Sequence, residues 1–463
     1  MEERKIAMKE NPKLEAALEA LHEDMLETLG RWVRIPSVRG EAAENAPFGP
    51  EVRRMLDTAV SDIRRLGMNP RDIDGYCCDA EIGEGEETIA VLAHLDVVPE
   101  GDGWLDEPYG AVIREGRMIG RGTSDDKGPA VAALFAMKAL LEAKVPLHKK
   151  VRLILGCDEE CGMEDLVHYE KVVGLPDFGF SPDASFPMIN TEKGITAMEL
   201  KADVTDERLI SIESGTRSNV VPGQAVALIR GDFRAAAAEA FECDNEACEI
   251  ETSLEEGNTR IRITGIPAHA ANPDLGVNAA KLLLMVLSKL GIGGLAVQTL
   301  YDTTGSENEG HGLGIAGADE VSGKLTINLG LLSVREGVLS VTYDCRYPVL
   351  FNGQTVRSMV ALALRDAGFV MEPGRDSVPH HVPETSGLVQ KMMKVYNDIM
   401  GTEDHPYAIG GGTYARHLKE GVAFGMLFPE EPGLEHQPNE SIDIENFYKA
   451  ARIYAYAIAA LCE

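Results

Sequence analysis

The sequence is short of positive charge. Lys and Arg number 44 against 75 Asp and Glu, a formal net charge of −31 over 463 residues. Nucleic-acid and anionic-membrane binding both rest on a basic footprint, so this deficit argues against either as the general role. A local basic pocket stays compatible with it. Long apolar runs are missing too. The longest, Ile453 to Cys462, has ten residues, about half of what a membrane-spanning helix needs. No apolar stretch follows the charged opening Met1 to Glu10, so no secretory leader is read there. Cysteine is sparse, 8 in all, and no Cys-x-x-Cys pair occurs. That excludes a zinc ribbon and a thioredoxin-type motif. Few cysteines and no leader lead us to expect reduced thiols and a cytoplasmic chain. The Gly410-Gly411-Gly412 turn lacks the Lys-Ser/Thr of a phosphate-binding loop.

What is present is an ordinary globular composition, 44% hydrophobic and 26% charged, with length for two large domains or three smaller ones. Leu14 to Arg34 and Glu51 to Leu66 carry apolar residues at helical spacing. Glu87 to Ala93 and Val151 to Gly156 are apolar enough for strands buried on both faces, with a helix from Pro129 to Ala143 between them. A short strand is expected at Phe178 to Phe180. From about 188 to 382 the texture becomes antiparallel, with alternating stretches at Ala225 to Phe233, Arg260 to Thr264, Lys324 to Gly330 and Gly337 to Tyr343. Helices are expected at Asn278 to Leu290 and Gly353 to Ala367, so strands plus a helix occur twice. Helix, glycine turn, strand and helix return from 383 onward. The expected fold is α/β: a split domain, 1–187 and 383–463, with a mixed, mostly parallel sheet flanked by helices. An α+β lid, 188–382, of two related subdomains is inserted into it.

The chemistry sits after the strands. His94-Leu95-Asp96 ends the first buried strand, and Cys157-Asp158-Glu159-Glu160 ends the next. Ser181-Pro182-Asp183 follows the short one, and His436-Gln437-Pro438-Asn439-Glu440 follows the last. Gly120 to Ser124 leads into Asp125-Asp126-Lys127-Gly128. Parallel strands would bring these loops to one crevice beyond their carboxyl ends. Asp125, Glu159, Glu160 and Asp183 gathered there would repel one another, and divalent cations remove that difficulty. Two His and several acids suit two cations sharing a carboxylate, zinc before manganese or cobalt. Asp96, two residues past His94 on the same strand face, suits the acceptor for the far imidazole nitrogen. Cys157 and Cys161 read as thiols beside the site, and Cys243 and Cys248 as structural.

These blocks in this order resemble the M20 family of metallopeptidases and deacylases, over the whole chain. Within it the sequence is most similar to bacterial dipeptidases of the V type, a carnosinase-like group. The Asp125-Asp126 pair, the Gly410-Gly-Gly-Thr-Tyr-Ala-Arg416 block and the insert of about 195 residues carry that likeness. The resemblance implies His94, Asp125 and Asp183 on one metal and Asp125, Glu160 and His436 on the other. It also implies Glu159 as general base and a cis peptide between Asp125 and Asp126. It places His269 of the lid at the substrate carbonyl, and Asn219, Arg346, Gly411, Gly412, Thr413 and Tyr414 around the substrate.

The expected reaction is hydrolysis of a short peptide. A cation pair supplies an activated water, Glu159 carries its proton, and His269 steadies the oxyanion. Arg346 offers a bidentate fork to a C-terminal carboxylate. The substrate expected is a dipeptide, β-alanyl and Xaa-His dipeptides included. Deacylation or desuccinylation of an N-acyl amino acid, and tripeptide aminopeptidase action, are the alternatives. A doubled lid suits a monomer, with no nucleic-acid or membrane partner. His380, His381, His405 and Lys127 are left without a role.

Overall fold

The computed structural model describes residues 11–463, and the charged opening Met1 to Glu10 lies outside them. Two compact units emerge. One comprises residues up to Asn190 with His381–Tyr407 and Gly412–Glu463; the other comprises Thr191–His380 with Ala408–Gly411. Gly410 and Gly411 of the glycine turn group with the second unit and Gly412 with the first.

In the first unit, helical spacing becomes helix. Pro12–Val33 is capped by the Asn11 side chain and buries Leu14, Leu18, Leu21, Met25, Leu29 and Trp32. Its sheet runs Arg71–Ile73, Cys77–Ile82, Lys150–Gly156, Thr88–His94, Phe178–Ser181, Glu420–Ala423, with short strands beyond. The four strands from Lys150–Gly156 to Glu420–Ala423 are parallel, while the first two pair antiparallel. Side-chain alternation serves two cores. Ile89, Val91 and Ala93 face the larger one, built with helices Pro12–Val33, Lys127–Glu142, Gly387–Met400 and Ile444–Leu461. Ala90 and Leu92 face a smaller one with Leu166, Tyr169 and Tyr414. Burial on both faces is why these strands read as continuous apolar runs. His94 pairs in register with Gly156, and Ser181 with Ala423, so the loops that follow leave from one end of the sheet. Strand Cys77–Ile82 and helix Glu164–Val172 add to the elements expected from the sequence.

The second unit is built on one large antiparallel sheet, with a separate two-stranded piece at Ala318–Asp319 and Gly323–Lys324. Its main order is Glu249–Glu255, Asn258–Thr264, Gln224–Arg230, Leu209–Ser214, Thr326–Arg335, Val338–Tyr347, Gly194–Asp203. Leu209–Ser214 pairs with Thr326–Arg335, so both sets of strands share one sheet and one core rather than forming two separate sheets. Helices Ala279–Lys289, Gly294–Thr304 and Gly353–Leu364 pack into that core. Among the described residues no helix is long and apolar enough to cross a membrane.

Candidate metal centre

Asp125 lies at the middle of a cluster in the first unit. Its Oδ1 is 3.0 Å from His94 Nε2, and its Oδ2 is 3.0 Å from His436 Nε2. Each imidazole has a second acid beside it: Asp183 at 3.6 Å from His94, and Glu160 at 3.0 Å from His436. Ligand-type atoms of His94, Glu159 and Asp183 lie within 4.8 Å of one another, as do those of His94, Asp125 and Glu160. All six residues expected at the site, five ligands and Glu159, therefore come together. His94 is fully buried, whereas the His436 side chain is 53% exposed. The Asp125–Asp126 peptide is cis.

Proton affinities reflect the crowding of acids around Asp125. Burial drives the Asp125 carboxyl up, but hydrogen bonds and charge from His436 and His94 outweigh it and hold the group far below the carboxylate range. Burial and then Asp125 push Asp183 up to about 7. Burial and then the Asp183 charge push Glu159 well above its ordinary value. Burial and Asp125 also raise Glu160, against the pull of His436. Burial works against the His436 cation, yet pairing with Asp125 and Glu160 lifts it to about 11. So many acids in one cluster call for compensating positive charge, and a divalent cation on each side of Asp125 would supply it. His94 fits that role by tautomer. Its Nδ1 lies 3.0 Å from the Asp96 main-chain carbonyl, which can only accept, so the Nδ1 proton is fixed and Nε2 is the ligand atom.

Asp96 meets His94 Nδ1 with both its main-chain oxygen, at 3.0 Å, and its carboxylate, at 3.5 Å. The carboxylate also accepts the amides of Glu159 and Glu160, each at 3.2 Å. Asp165, at the start of helix Glu164–Val172, accepts the preceding two amides, Cys157 at 2.5 Å and Asp158 at 2.8 Å. Four successive N–H groups thus end on two buried carboxylates, which places both glutamates. Asp165 also accepts from the Tyr414 hydroxyl. Gly156 leaves room for this pair, since a Cβ there would lie 2.2 Å from the Tyr414 hydroxyl oxygen. Tyr414 is 0% exposed. Its side chain holds the glutamate loop and faces no cleft, contrary to the substrate-lining place expected for it. Thr413 is also buried, its hydroxyl accepting from Ala415 N–H. Gly412 is half-buried, and its nearest outside neighbour is Arg416.

Lys127 is structural. Its buried amine donates to the Trp32 and Ile35 carbonyls, fastening the end of the first helix. Asp165 and Glu440 were given no role from sequence. An acid in a helix's first turn, and one just before the Ser441-Ile442 entry to the last helix, were the available signals.

In the second unit, the expected lid residues also meet. Val220 bridges His269, and Asn219 accepts the Ala270 amide through its main-chain oxygen at 2.9 Å. Gly410 lies against Ala271, a Cβ there being 3.1 Å from its methyl, and Gly411 follows it. His269 is exposed, and its Nδ1 accepts from Ala271 N–H at 3.2 Å. The neutral ring therefore carries its proton on Nε2. Arg346 departs from expectation. It is 5% exposed, with Nε and Nη2 on Asp344 at 2.6 and 3.0 Å and Nη1 on the Gly410 carbonyl at 2.8 Å. The fork's side-on edge is engaged by an acid two residues away on the same strand face. Three of the five N–H groups are used, which leaves one on each terminal nitrogen.

Comparison with known proteins agrees with this geometry. Residues 90–460 match the model of peptidase family M20/M25/M40. The chain belongs to that family. It is 37% identical over 455 residues to a Bacillus subtilis (strain 168) protein with the provisional name dipeptidase YtjP, covering 95% of this chain and 98% of that one. Likewise it is 35% identical over 456 residues to SH1171 of Staphylococcus haemolyticus (strain JCSC1435), provisionally a dipeptidase, covering 95% and 97%. In fold it resembles human carnosine dipeptidase 1, with a TM-score of 0.62 at 17% identity over 97% of this chain and 98% of that one. The dipeptidase Dug1p of Saccharomyces cerevisiae gives 0.60 at 13% identity over 97% and 98%. The chain is thus an M20-family hydrolase with two His/Asp/Glu clusters fit for a pair of metal ions.

Proposed function

We propose that this chain is a dipeptidase using two divalent cations, zinc first and manganese or cobalt next. The observation that carries the reading is Asp125, with one carboxylate oxygen toward each imidazole and a further acid beside each. His94, Asp125 and Asp183 would hold one cation, and Asp125, Glu160 and His436 the other. When bound, the pair would acidify a water and polarise the scissile carbonyl. Glu159 differs from the other acids in having no imidazole in ion-pair range among the described residues. That leaves its carboxylate to take a water proton and return it to the leaving amine. His269 is assigned to donate from Nε2 to the oxyanion, the tautomer that its Nδ1 hydrogen bond selects. Arg346 would meet a peptide carboxylate with the N–H left on each terminal nitrogen, beside Asn219 and the Gly410–Gly412 turn.

Dipeptide preference is supported by the provisional names of the curated relatives and by the large insert. Glu249, Glu251 and Glu255 line the open edge of the insert's sheet and oppose strand addition, which supports a monomer. Light scattering with a mass of one chain is expected. Eight free thiols support action in a reducing cytoplasm.

The test is a panel of dipeptides, tripeptides and N-acyl amino acids, each with and without chelator. Dipeptide turnover lost with chelator and regained with zinc or manganese is expected. Turnover confined to N-acyl amino acids would make the chain a deacylase, and turnover confined to tripeptides a tripeptide aminopeptidase. Turnover indifferent to chelator would end the cation reading.

A further inference from the structure

Glu440 is 0% exposed and touches none of the six clustered side chains, yet it is bonded more densely than any of them. One oxygen, Oε1, accepts from Gly122 N–H at 3.0 Å, Ser124 N–H at 2.9 Å, Ser124 Oγ at 3.0 Å and Asp125 N–H at 3.2 Å. The other, Oε2, accepts from Arg121 Nη1 at 2.7 Å, and Arg121 is 1% exposed. Nη2 of Arg121 continues to the Glu100 carbonyl at 3.1 Å, in the loop that leaves His94. The Glu440 main chain joins in, its carbonyl accepting from Gly120 N–H at 2.9 Å. Gly122, at φ +88°, supplies the turn that aims these amides inward.

Burying a carboxylate is costly unless donors surround it, and here five do. What they fix is specific. Arg121, Gly122, Ser124 and the Asp125 amide are all gathered onto one side chain. That side chain stands four residues after His436, in a segment whose His436 and Asn439 both have positive φ. One residue thus joins the loop that carries Asp125 to the loop that carries His436, whose facing atoms are 3.0 Å apart.

We infer that Glu440 is a positioning residue that sets the Asp125–His436 separation and thereby the affinity of the cation held by Asp125, Glu160 and His436. The inference rests on the two-cation reading above. The His94 side depends on it less, because His94 is held by its own strand and by the Asp96 carbonyl.

Calorimetric titration of the metal-depleted chain with Zn²⁺, and separately with Mn²⁺, tests this. Glu440→Gln keeps the shape but sets an amide against Arg121. Ser124→Ala removes a single donor and leaves the acid in place, so it carries the test if the first variant folds poorly. Expected is a tenfold or greater weakening of one of the two cations in Glu440→Gln and a smaller weakening of the same one in Ser124→Ala. The other cation should stay within threefold, and the Ser124→Ala melting midpoint should match wild type. Two wild-type affinities in both variants would overturn the inference and leave the two-cation reading intact. Loss of both affinities in step with the melting midpoint would also overturn it, in favour of a purely structural acid. A wild-type chain that takes up fewer than two cations would overturn the reading beneath it.

Discussion

The two units hold their functional loops with opposite chemistry. In the first, buried carboxylates clamp the main chain: Asp165 and Asp96 take four amides from 157–160, and Glu440 takes three from 122–125. In the second, neutral amides do the equivalent work. Asn328 Nδ2 donates to the Ser218 and Val220 carbonyls, bracketing Asn219, and Asn278 Nδ2 donates to Asn328 Oδ1 and the Leu329 carbonyl. A buried carboxylate is tolerated where positive charge is at hand. Arg121 supplies it beside Glu440, and Arg39 beside the buried Asp158. The difference shows that acids near a metal centre divide into those that would bind cations and those that bind main chain, and that proximity alone does not sort them.

Substitutions that separate these classes test the comparison. The largest effect is expected from Asp125→Asn, which serves both sides of the cluster: activity should fall by at least ~10³-fold together with cation content. Glu159→Gln should keep both cations and lose on the order of 10²–10⁴-fold in kcat. Elemental analysis alongside steady-state kinetics distinguishes these two, and loss of cations from Glu159→Gln would make it a ligand. In the second unit, His269→Ala should lower kcat by roughly 10²-fold with cation content unchanged. Asn328→Ala leaves the Ser218 and Val220 carbonyls without that donor and should cost about 1–3 kcal/mol in urea unfolding.

The smallest effect is a pH slope. Lys281 is buried in the second unit, donating to the Glu307 carbonyl and Asn308 Oδ1, and burial lowers its amine to about 8. Unfolded, the amine titrates near ~10.4, so between those values the unfolded chain binds the extra proton. Stability should therefore rise as pH is raised from about 8 towards 10. Lys281→Met should flatten that rise in denaturant midpoints taken across the range.

Local pattern made much of this molecule legible. His94, Asp125, Glu159, Glu160 and Asp183 each stand within a few residues of an apolar strand or a glycine loop, so their blocks could be read in sequence. The parallel centre of the sheet followed from runs apolar on both faces. What escaped reading depends on distant partners. Glu440 meets Gly122 across 318 positions, and Tyr414 meets Asp165 across 249. No local spacing marks either pair. Strand Cys77–Ile82 was hidden because Asp79 and Glu81 break its apolar run, Asp79 being buried through Arg71 and the Tyr169 hydroxyl. Arg346 is a different case. Its partner Asp344 stands only two residues away, and the pair is buried.

The central claim is that Asp125 unites two cation sites while Asp96, Asp165 and Glu440 bind only main chain and side-chain donors. Counting cations per chain by elemental mass spectrometry, on desalted wild type and Asp125→Asn, tests it most directly. Two are expected for the wild type and one or none for the variant. Fewer than two in the wild type, or two retained in Asp125→Asn, would contradict it.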